Sequence, residues 1–586
     1  MCGFIVYPLP RNIIDAYLAH VKYRGPDDCE VVSSNGFNFG FNRLAFQGGS
    51  QLGAQPMNYL DRWLIVFNGE IYNSQQLIEF IEKGNQKYLG TQNSDTEVLA
   101  AFLAVVIEDQ CWEAISIIDG IFSFVILDKV SNTLFYGNDR FGVKPLFVVN
   151  SEETVSFVSD ISYFNSLELR SEKIFTQYIH HPMSLGPSDL YQGIEAVVPG
   201  VIYAYSINER ATKEIYCCRK TLQGGELRSQ LSLITLSKNL EGAIRRNLVG
   251  DYPGCLLLSG GVDSSLLSLL AARSVLKESI VGTYSVSFTN DKNSETKYRD
   301  EILIKQKNIK NTELVIDPEL FFINLIEYVK KSRRLPVIPN EIALFALFRR
   351  ISKDGYRMAL SGEGADEIFD GYHYIRDAAI TNLLRSFLAL PLIKKIAIKV
   401  ISKFGHRFLR YLEDPDSLLR IISAGNHIYY DLRGYYDLKR IKELLIDYYL
   451  TGLLYRADNA SMMNSVELRV PFLSNLITDR YLCLPNEFLS IIFPPKFLPK
   501  LLLASLVNFK FAFSKKRGFA IPWGSWYLES KEFKSLWEET KSFVEKTNLF
   551  NIPDGIEVDA HFGDFFERIG FRLMSVYLYS KGYNKT

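Results

Sequence analysis

The sequence predicts a multidomain α/β protein, in which stacked sheets covered by helices precede a doubly wound parallel sheet. Three observations support this fold class. The chain has 586 residues, more than one hydrophobic core can use, and this length indicates about two to four domains. Short strands separated by turn residues fill the first third, whereas helices alternate with strands from about residue 226. Near residue 256, an apolar strand, a Ser/Gly turn and a helix follow one another.

The composition is typical of a soluble globular protein. Hydrophobic residues make up 47% of the chain and charged residues 23%. Lysine plus arginine and aspartate plus glutamate both number 66, so no net field attracts nucleic acid. No basic arm or RNA-binding signature is visible either. We therefore predict no nucleic-acid partner.

The cysteines and the apolar runs indicate the compartment. Seven cysteines form no Cys-x-x-Cys pair, which is typical of a reducing compartment. The amino terminus lacks the charged and apolar regions of a signal peptide, and no run of 18 apolar residues occurs. We therefore expect a cytoplasmic protein without a transmembrane segment.

The first third reads as short strands interrupted by two helices. We predict strands at Trp63–Phe67, Phe122–Leu127 and Val155–Val158, and helices at Ser74–Lys83 and Ser94–Glu108. The second helix begins with a capping-box pattern of Ser, Asp, Thr and Glu. Such strand-rich stretches with a few helices favour stacked sheets covered by helices.

From about residue 226 the pattern changes to helices alternating with strands of parallel type. The predicted elements are a helix at Leu231–Asn247, a strand at Leu256–Leu258, a strand at Val281–Phe288, a helix from Ser294, and strands at Glu313–Ile316 and Met358–Leu360. In such a sheet, ligands bind at the carboxyl ends of the strands. We therefore assign residues 2–208 to a first domain, 209–228 to a linker and 229–586 to a second domain.

The turn after Leu258 carries the first chemical signal. Gly260 and Gly261 let the backbone turn sharply and approach a ligand closely, and we expect a helix from Ser264 onward. The free N–H groups of that helix favour a phosphate. The Gly-Lys-Ser/Thr ending of a Walker loop is absent. The turn instead resembles the pyrophosphate loop of enzymes that split ATP into AMP and pyrophosphate.

Cys2 is the second chemical signal. If Met1 is removed, the Cys2 thiol lies beside its own α-amine, whose pKa near ~8 lets it accept the thiol proton. One residue then supplies a nucleophile and its base. On its own, Cys2 identifies no function, and an incidental small second residue is the more common case.

Five further segments of the first third carry a family resemblance. They are Arg24–Asp27, Asn42–Leu44, Phe67–Asn73, Ser94–Glu97 and Asp139–Gly142. This part of the chain resembles a class II glutamine amidotransferase domain, whose fold is an N-terminal-nucleophile αββα sandwich. Together with the pyrophosphate loop, the whole chain resembles the glutamine-hydrolysing asparagine synthetases, whose second domain is an ATP pyrophosphatase with a helical extension.

The resemblance implies roles for the residues around the Cys2 nucleophile. Arg43 and Asp95 would grip the α-carboxylate and α-ammonium of glutamine, which suits a guanidinium and a carboxylate. Asn68 and the Gly69 N–H would form the oxyanion hole. Glu70 would help to hold the substrate.

The resemblance also implies an ATP site in the second domain. The predicted phosphate cradle consists of Ser259, Gly260, Gly261, Asp263, Ser264 and Ser265. Leu258 and Val286 would hold the adenine.

A second segment, Ser361–Glu367, resembles a further signature of the same family. Ser361 and Gly362 would complete the ATP site, and Glu363 would contact the acyl-adenylate and ammonia. Asp366 and Glu367, with Asp263, would bind Mg²⁺, a hard ion that prefers carboxylate and phosphate oxygens.

The last third matches the family in part. Ser514–Phe519 resembles a basic segment that reaches over the ATP phosphates, and Lys516 would stabilise charge on the α-phosphate. Val466–Leu473 resembles another family segment, but Ser474 stands where the family has aspartate. The helix-rich stretch of about 376–449 matches no family pattern and reads as an insertion.

We therefore expect an ATP-dependent amidotransferase that uses glutamine and amidates a carboxylate through an acyl-adenylate. The default acceptor is aspartate, and the alternative is the same chemistry on another carboxylate, such as a sugar acid of surface-polysaccharide biosynthesis or a small metabolite. A ring-closing relative would not need the glutaminase residues, and a scaffold protein would not keep both loops complete. The implied ligands are glutamine, ATP and Mg²⁺, an ammonia tunnel would join the two sites, and a homodimer is a further possibility.

Overall fold

The computed structural model describes residues 2–583 outside a set of short gaps and one long gap. The segments outside the description are 9, 47–52, 85–87, 92–93, 151–153, 165–171, 181–185, 187, 219–231, 274–279, 291–295, 307–308, 389–436, 483–486, 515–520 and 548–561. We refer to residues 2–218 as the N-terminal half and to residues 232–583 as the C-terminal half.

The N-terminal half is built mainly from short antiparallel strands. They are β1 (Cys2–Pro8), β2 (Asp28–Ser34), β3 (Phe37–Arg43), β4 (Met57–Tyr59), β5 (Trp63–Ile71), β6 (Gly120–Asp128), β7 (Thr133–Asn138), β8 (Phe147–Asn150), β9 (Val155–Val158), β10 (Ile194–Ala196), β11 (Val201–Ser206) and β12 (Ala211–Cys217). These strands form two six-stranded sheets, in the orders β10-β8-β9-β1-β3-β2 and β12-β11-β7-β6-β5-β4.

Helices cover the outer faces of both sheets. They are α1 (Arg11–His20), α2 (Ser74–Lys83), α3 (Asp95–Asp109) and α4 (Glu172–His180), with 3₁₀ turns at Lys22–Arg24 and Trp112–Ile117. Helix α1 contacts β1 and β3, and α3 contacts β4 and β5.

Side chains along β5 alternate as this layering requires. Leu64 and Val66 pack between the two sheets, whereas Ile65 and Phe67 pack under α2 and α3. The arrangement confirms the predicted αββα sandwich.

Two predicted boundaries in this half need correction. The predicted linker, 209–228, begins too early, because Ala211–Cys217 is an edge strand paired with β11. Residues 219–228 lie outside the description. The strand predicted to end at Phe67 continues to Ile71, so Asn68, Gly69 and Glu70 belong to a strand paired with β6 and not to a loop.

The C-terminal half contains one five-stranded sheet. Its strands are β13 (Gly254–Leu257), β14 (Ile280–Phe288), β15 (Lys310–Ile316), β16 (Met358–Leu360) and β17 (Glu467–Arg469). They pair in parallel in the order β15-β14-β13-β16-β17. This confirms the predicted doubly wound sheet. The strand order reverses between β13 and β16, and such a reversal opens a ligand crevice at the carboxyl ends of the two strands.

Helices surround this sheet and extend beyond it. They are α5 (Leu233–Asn247), α6 (Val262–Arg273), α7 (Thr296–Lys305), α8 (Pro318–Ser332), α9 (Asn340–Lys353), α10 (Ala365–Ile368), α11 (His373–Leu388), α12 (Leu438–Leu444), α13 (Thr451–Met462), α14 (Asn475–Tyr481), α15 (Glu487–Ile492), α16 (Phe497–Leu506), α17 (Phe509–Ala512), α18 (Trp523–Glu529), α19 (Lys531–Thr547), α20 (Phe562–Phe565) and α21 (Phe571–Tyr583). Single π-helical segments, Leu445–Leu450 and Phe566–Gly570, precede α13 and α21, and Pro471–Leu473 is a 3₁₀ turn.

Some of these helices begin differently from the prediction. Helix α6 begins at Val262, two residues before the predicted start at Ser264. The predicted insertion of about 376–449 is helical where it is described, in α11, α12 and the following π segment, and residues 389–436 lie outside the description. None of the helices that the structure describes has the length and hydropathy that a membrane span requires.

The two halves share hydrophobic clusters. One cluster joins Phe141 and Ile121 of the N-terminal half to Leu473 of the C-terminal half. Another includes Tyr178 of the N-terminal half together with Tyr328 of the C-terminal half. The halves therefore pack against each other through buried apolar side chains.

Candidate functional site

Three strands bring the predicted glutaminase residues together. Cys2, the first residue of β1, pairs with Arg43 of β3. The backbone N–H of Cys2 donates a hydrogen bond to Asn68 Oδ1 on β5, at 2.8 Å. All three side chains are buried. Strand register thus places the proposed nucleophile beside the proposed oxyanion-hole residue.

The surroundings of Cys2 favour the protonated form of its thiol. Burial is the main cause that raises its pKa above the ordinary value. A nearby base must therefore take the proton before the sulfur can attack, as the predicted role of the α-amine requires.

The predicted oxyanion hole has a free donor. Asn68 is fully buried, and its Nδ2 amide nitrogen has no hydrogen-bond partner among the described residues. Gly69 has φ +147°, and a Cβ there would overlap the carbonyl oxygen of Ile121. Only glycine fits this position in β5. A buried donor without a partner is uncommon in folded proteins, and here it lies where a substrate oxygen would bind.

Arg43 and Asp95 approach the same region from different elements. Asp95 begins α3 and accepts a hydrogen bond from the Ile71 N–H at 3.2 Å. A Cβ added to Gly53 would lie 2.8 Å from Arg43 Nη2 and 3.6 Å from Ser94 Oγ, so Gly53 lies close to both Arg43 and the residue before α3. Burial raises the pKa of Asp95 to about 6. The geometry is compatible with a guanidinium and a carboxylate that grip one amino acid.

Glu70 points toward the C-terminal half. Its Oε1 lies 3.3 Å from Arg469 Nη2, and burial raises the pKa of the Glu70 carboxyl well above its usual range. Arg469 is fully buried and also pairs with Glu467. Its Nη1 donates to the carbonyl oxygens of Asn247 and Val249, at 2.9 and 2.6 Å. The predicted role of Glu70 in glutamine binding stays a prediction.

The predicted phosphate loop lies at the reversal point of the parallel sheet. It connects β13 to α6, and Gly260 has φ +93°. Ser259 and Ser264 hold the turn: their hydroxyls lie 3.0 Å apart, and the Gly261 N–H donates to Ser259 Oγ at 3.2 Å. Ser265 is buried, and its Oγ has no partner within the described part of the chain.

The second signature loop meets the phosphate loop. It follows β16, the neighbour of β13. A Cβ on Gly362 would lie 2.9 Å from Asp263 Cβ, so glycine allows the close approach. The Ser361 N–H donates to the Arg469 carbonyl oxygen at 3.0 Å, and the Glu363 N–H donates to Ser361 Oγ at 3.3 Å. The two predicted parts of the ATP site are therefore in contact.

Lys496 bridges these two loops, and sequence reasoning missed it. Its ammonium is buried and pairs with Asp263 and with Asp366, the latter at 2.8 Å. Although burial opposes it, these two carboxylates raise the pKa of Lys496 above its ordinary value. The sequence held only an indirect signal for this lysine. Asp263 and Asp366 were predicted to lie together, and two neighbouring carboxylates require a cation.

The predicted magnesium site is only partly assembled. Asp263 and Asp366 face a common cation, and their oxygens suit Mg²⁺. Glu367 instead accepts a hydrogen bond from the Tyr372 hydroxyl at 2.6 Å, and burial followed by the Asp366 charge raises the pKa of Glu367 to about 8. The described residues contain no group of three or more metal-binding side chains.

The remaining predicted ATP residues occupy separate positions. Leu258 is buried, and its N–H donates to the Tyr284 carbonyl oxygen of β14 at 2.8 Å. Val286 is half-buried on the same strand. Lys516 lies outside the described residues.

A buried ion network joins the two halves. Asp160 of the N-terminal half pairs with Arg334 at 2.8 Å. Asp458 pairs with Arg24 at 2.8 Å and with Lys144 at 3.2 Å. Although burial opposes it, Arg334 and Arg24 lower the pKa of Asp160 to about 2. The halves are therefore fixed to each other by opposite charges that are removed from water.

Ser474 stands where the resembled family has aspartate, and Asp119 of the N-terminal half supplies a carboxylate beside it. Ser474 Oγ lies 3.0 Å from Asp119 Oδ2, and the Asn475 N–H donates to Asp119 Oδ1 at 2.9 Å. These groups are at the start of α14. A carboxylate of the N-terminal half thus supplies the negative charge that helix starts favour.

Comparisons with known proteins agree with this division. A family model described as asparagine synthase matches residues 235–551, and one described as a glutamine amidotransferase domain matches residues 1–216. The chain is 28% identical to glutamine-hydrolyzing asparagine synthetase 1 of Bacillus subtilis over 574 residues, which covers 90% of this chain and 88% of the relative. It is 27% identical to asparagine synthetase 3 of the same organism, with 81% and 79% covered.

One solved structure adds little. Glutamine phosphoribosylpyrophosphate amidotransferase from B. subtilis matches 53% of this chain and 65% of its own chain, with 12% identity and a TM-score of 0.27. This likeness is too weak to carry an argument.

Proposed function

The chain belongs to the asparagine synthase family and is a glutamine-hydrolysing, ATP-dependent amidotransferase, and from this premise we propose that it converts aspartate to asparagine. One observation above all supports the proposal of two coupled sites. Arg469 contacts Glu70, next to the oxyanion hole, and its carbonyl oxygen binds the Ser361 N–H of the second ATP loop. A single buried residue therefore contacts both proposed sites.

In the N-terminal half, the Cys2 sulfur attacks the side-chain amide of glutamine. The Cys2 α-amine, exposed by removal of Met1, takes the thiol proton. The Asn68 amide and the Gly69 N–H stabilise the oxyanion. Ammonia leaves with that proton, and water hydrolyses the thioester to glutamate. Arg43 and Asp95 hold the substrate through its two charged ends.

In the C-terminal half, the acceptor carboxylate attacks the α-phosphate of ATP and displaces pyrophosphate. The phosphate loop, with Ser259 and Ser264, binds the leaving pyrophosphate. A magnesium ion held by Asp263 and Asp366 would neutralise phosphate charge. Lys496 and Lys516 supply positive charge, and Glu363 binds ammonia as it displaces AMP. Ammonia reaches this site through a tunnel between the halves, because in water it would be protonated.

Product analysis tests the proposal. With aspartate, ATP and glutamine, the purified protein should form asparagine, glutamate, AMP and pyrophosphate in equal amounts. ADP instead of AMP would overturn the assignment of the phosphate loop. If a sugar acid is amidated and aspartate is not, the acceptor is a sugar acid, and the proposed reaction type is unchanged. Size-exclusion chromatography at assay concentration tests the predicted homodimer.

A further inference from the structure

A cavity adjoins the second ATP loop through Arg456. Arg456 Nη2 lies 3.5 Å from Glu363 Oε1. The cavity is lined largely by apolar and aromatic side chains from both halves, among them Leu190, Tyr191, Leu335 and Leu453. It measures about 40 Å³. Since about 10–15 Å³ of such space holds one water, it has room for about three waters, or for a group of a few heavy atoms.

Arg456 is a buried cation with unused hydrogen-bonding capacity. Its side chain is 9% exposed. Its Nε has no hydrogen-bond partner within the described residues, and the 3.5 Å contact with Glu363 is long for an ion pair of this kind. A desolvated guanidinium is costly unless it is paired, so the site favours an added anion.

Glu341 lines the same cavity and, unlike Arg456, favours a ligand with a positive charge. It is buried, and it accepts hydrogen bonds from the Tyr328 hydroxyl and, at 3.0 Å, from the Val337 N–H. Each carboxylate oxygen can accept a second bond. Burial raises the pKa of Glu341, and the nearby charges of Arg456 and Arg334 only partly oppose this. A cationic ligand in the cavity would favour the carboxylate form.

We propose that Arg456 and Glu341 bind the α-carboxylate and the α-ammonium of the acceptor, an amino acid whose side-chain carboxylate reaches the Glu363 loop. This inference rests on the proposed function and names the recognition of its substrate. The α-carboxylate and the α-ammonium together have four heavy atoms, close to the about three waters for which the cavity has room. A sugar acid is larger and has no ammonium group for Glu341. The pair repeats, for a second amino acid, the charge pattern of Arg43 and Asp95.

The first test is Glu341→Gln, measured as pyrophosphate release with ammonium as the nitrogen source. Glutamine keeps both local contacts, because its oxygen can accept from Val337 and its NH₂ group can donate to Tyr328. Losing a charged hydrogen bond costs about 1.5–3 kcal/mol, so the KM for aspartate should rise between about 10- and 150-fold.

Succinate, which is aspartate without the ammonium group, separates recognition from a structural role. The wild type should prefer aspartate strongly, and Glu341→Gln should lose most of that preference. If Glu341→Gln raises the KM for aspartate and the KM for succinate by the same factor, the proposal is contradicted.

The second test fills the cavity with Gly452→Leu. Gly452 lies in α13 and lines the cavity, and a Cβ there has no atom within 4 Å. Leucine also favours helix more than glycine does, so folding should be preserved. Gly524→Leu, in α18, is the matched control, since its Cβ also meets open space. Gly452→Leu should raise the KM for aspartate with either nitrogen source, and Gly524→Leu should leave it unchanged.

The outcomes separate this inference from the proposed function. If Gly452→Leu lowers glutamine-dependent synthesis alone, the cavity carries ammonia and the inference is wrong. If the wild type makes asparagine and both variants keep its KM for aspartate, the inference fails while the function stands. If the wild type amidates only acids without an ammonium group, both fail.

Discussion

The proposed glutamine site and the proposed ATP site differ in what holds their residues together. In the glutamine site, neighbouring strands fix Cys2, Arg43 and Asn68, through register and one 2.8 Å hydrogen bond. In the ATP site, two loops meet at the ends of β13 and β16, and the Lys496 ammonium lies between the carboxylates of Asp263 and Asp366. One site depends on backbone pairing, whereas the other depends on the balance of charge.

This difference predicts how each site responds to change. Backbone pairing survives the loss of a side chain, so a substitution in the glutamine site should remove chemistry and leave structure. Two carboxylates without their cation repel each other, so a substitution of the lysine should disturb the whole ATP site. Four experiments test this difference between the two sites.

Cys2→Ala should give the largest effect. It removes the nucleophile and leaves the register of β1, so glutamine-dependent synthesis should fall below detection while ammonium-dependent synthesis is retained. Product assays with the two nitrogen sources measure this. Loss of both activities would show that the sites are not separable.

Lys496→Met should reduce pyrophosphate release with both nitrogen sources, by about 100- to 1,000-fold, as expected when one group that stabilises developing charge is removed. Glutamine hydrolysis should continue. Lys500→Met is the control, because Lys500 lies in α16, four residues after Lys496, and its ammonium lies 5.9 Å from the centre of the Phe513 ring. Equal losses in both variants would contradict the role of Lys496.

The pKa of Asp95, raised to about 6 by burial, predicts a pH dependence of glutamine binding. Below this pH the carboxyl is protonated and no longer attracts the α-ammonium. The Cys2 α-amine, with a pKa near ~8, must also be neutral, so the kcat/KM for glutamine hydrolysis should already fall below that pH, and below about 6 it should fall by about a further tenfold for each pH unit. Asp95→Asn should have a lower kcat/KM and keep only the limb of the α-amine. If the second, steeper limb persists in the variant, another group causes it.

Glu367→Gln should have the smallest effect, on stability. Burial and the Asp366 charge raise the pKa of Glu367 to about 8 in the folded state, so the wild type loses stability as pH rises from about 4 toward 8. The variant does not titrate, and its Tm at pH 7 should be a few degrees higher in the absence of Mg²⁺. If Glu367 binds the metal, Mg²⁺ with ATP should stabilise the wild type more than the variant. Equal stabilisation would remove Glu367 from the metal site.

Local motifs explain what the sequence could predict. The glycines of the phosphate loop and the strand before it are neighbours in the chain, and their conformations follow from residue type. Strand β16 has the predicted bounds for the same reason. The family resemblance then supplied the residues around Cys2.

Distant pairings explain what the sequence could not predict. Lys496 is 233 positions from Asp263, and Arg469 lies far along the chain from Glu70. No spacing rule connects such residues, because the tertiary fold alone brings them together. The error at the linker has a simpler cause: β12 is an edge strand with polar, mostly exposed residues, and it resembles a connecting segment.

The buried ion network limits which N-terminal and C-terminal halves can be combined in one chain. Arg24, Lys144, Asp160, Arg334 and Asp458 all have side chains less than 5% exposed, and three of the four ion pairs among them cross between the halves. Breaking one buried pair costs about 3–5 kcal/mol, because a charge is left without its partner. A recombination event that exchanges one half for that of a distant relative would leave such buried charges without their partners. The two halves can diverge in their substrates, but at these positions they must be inherited together.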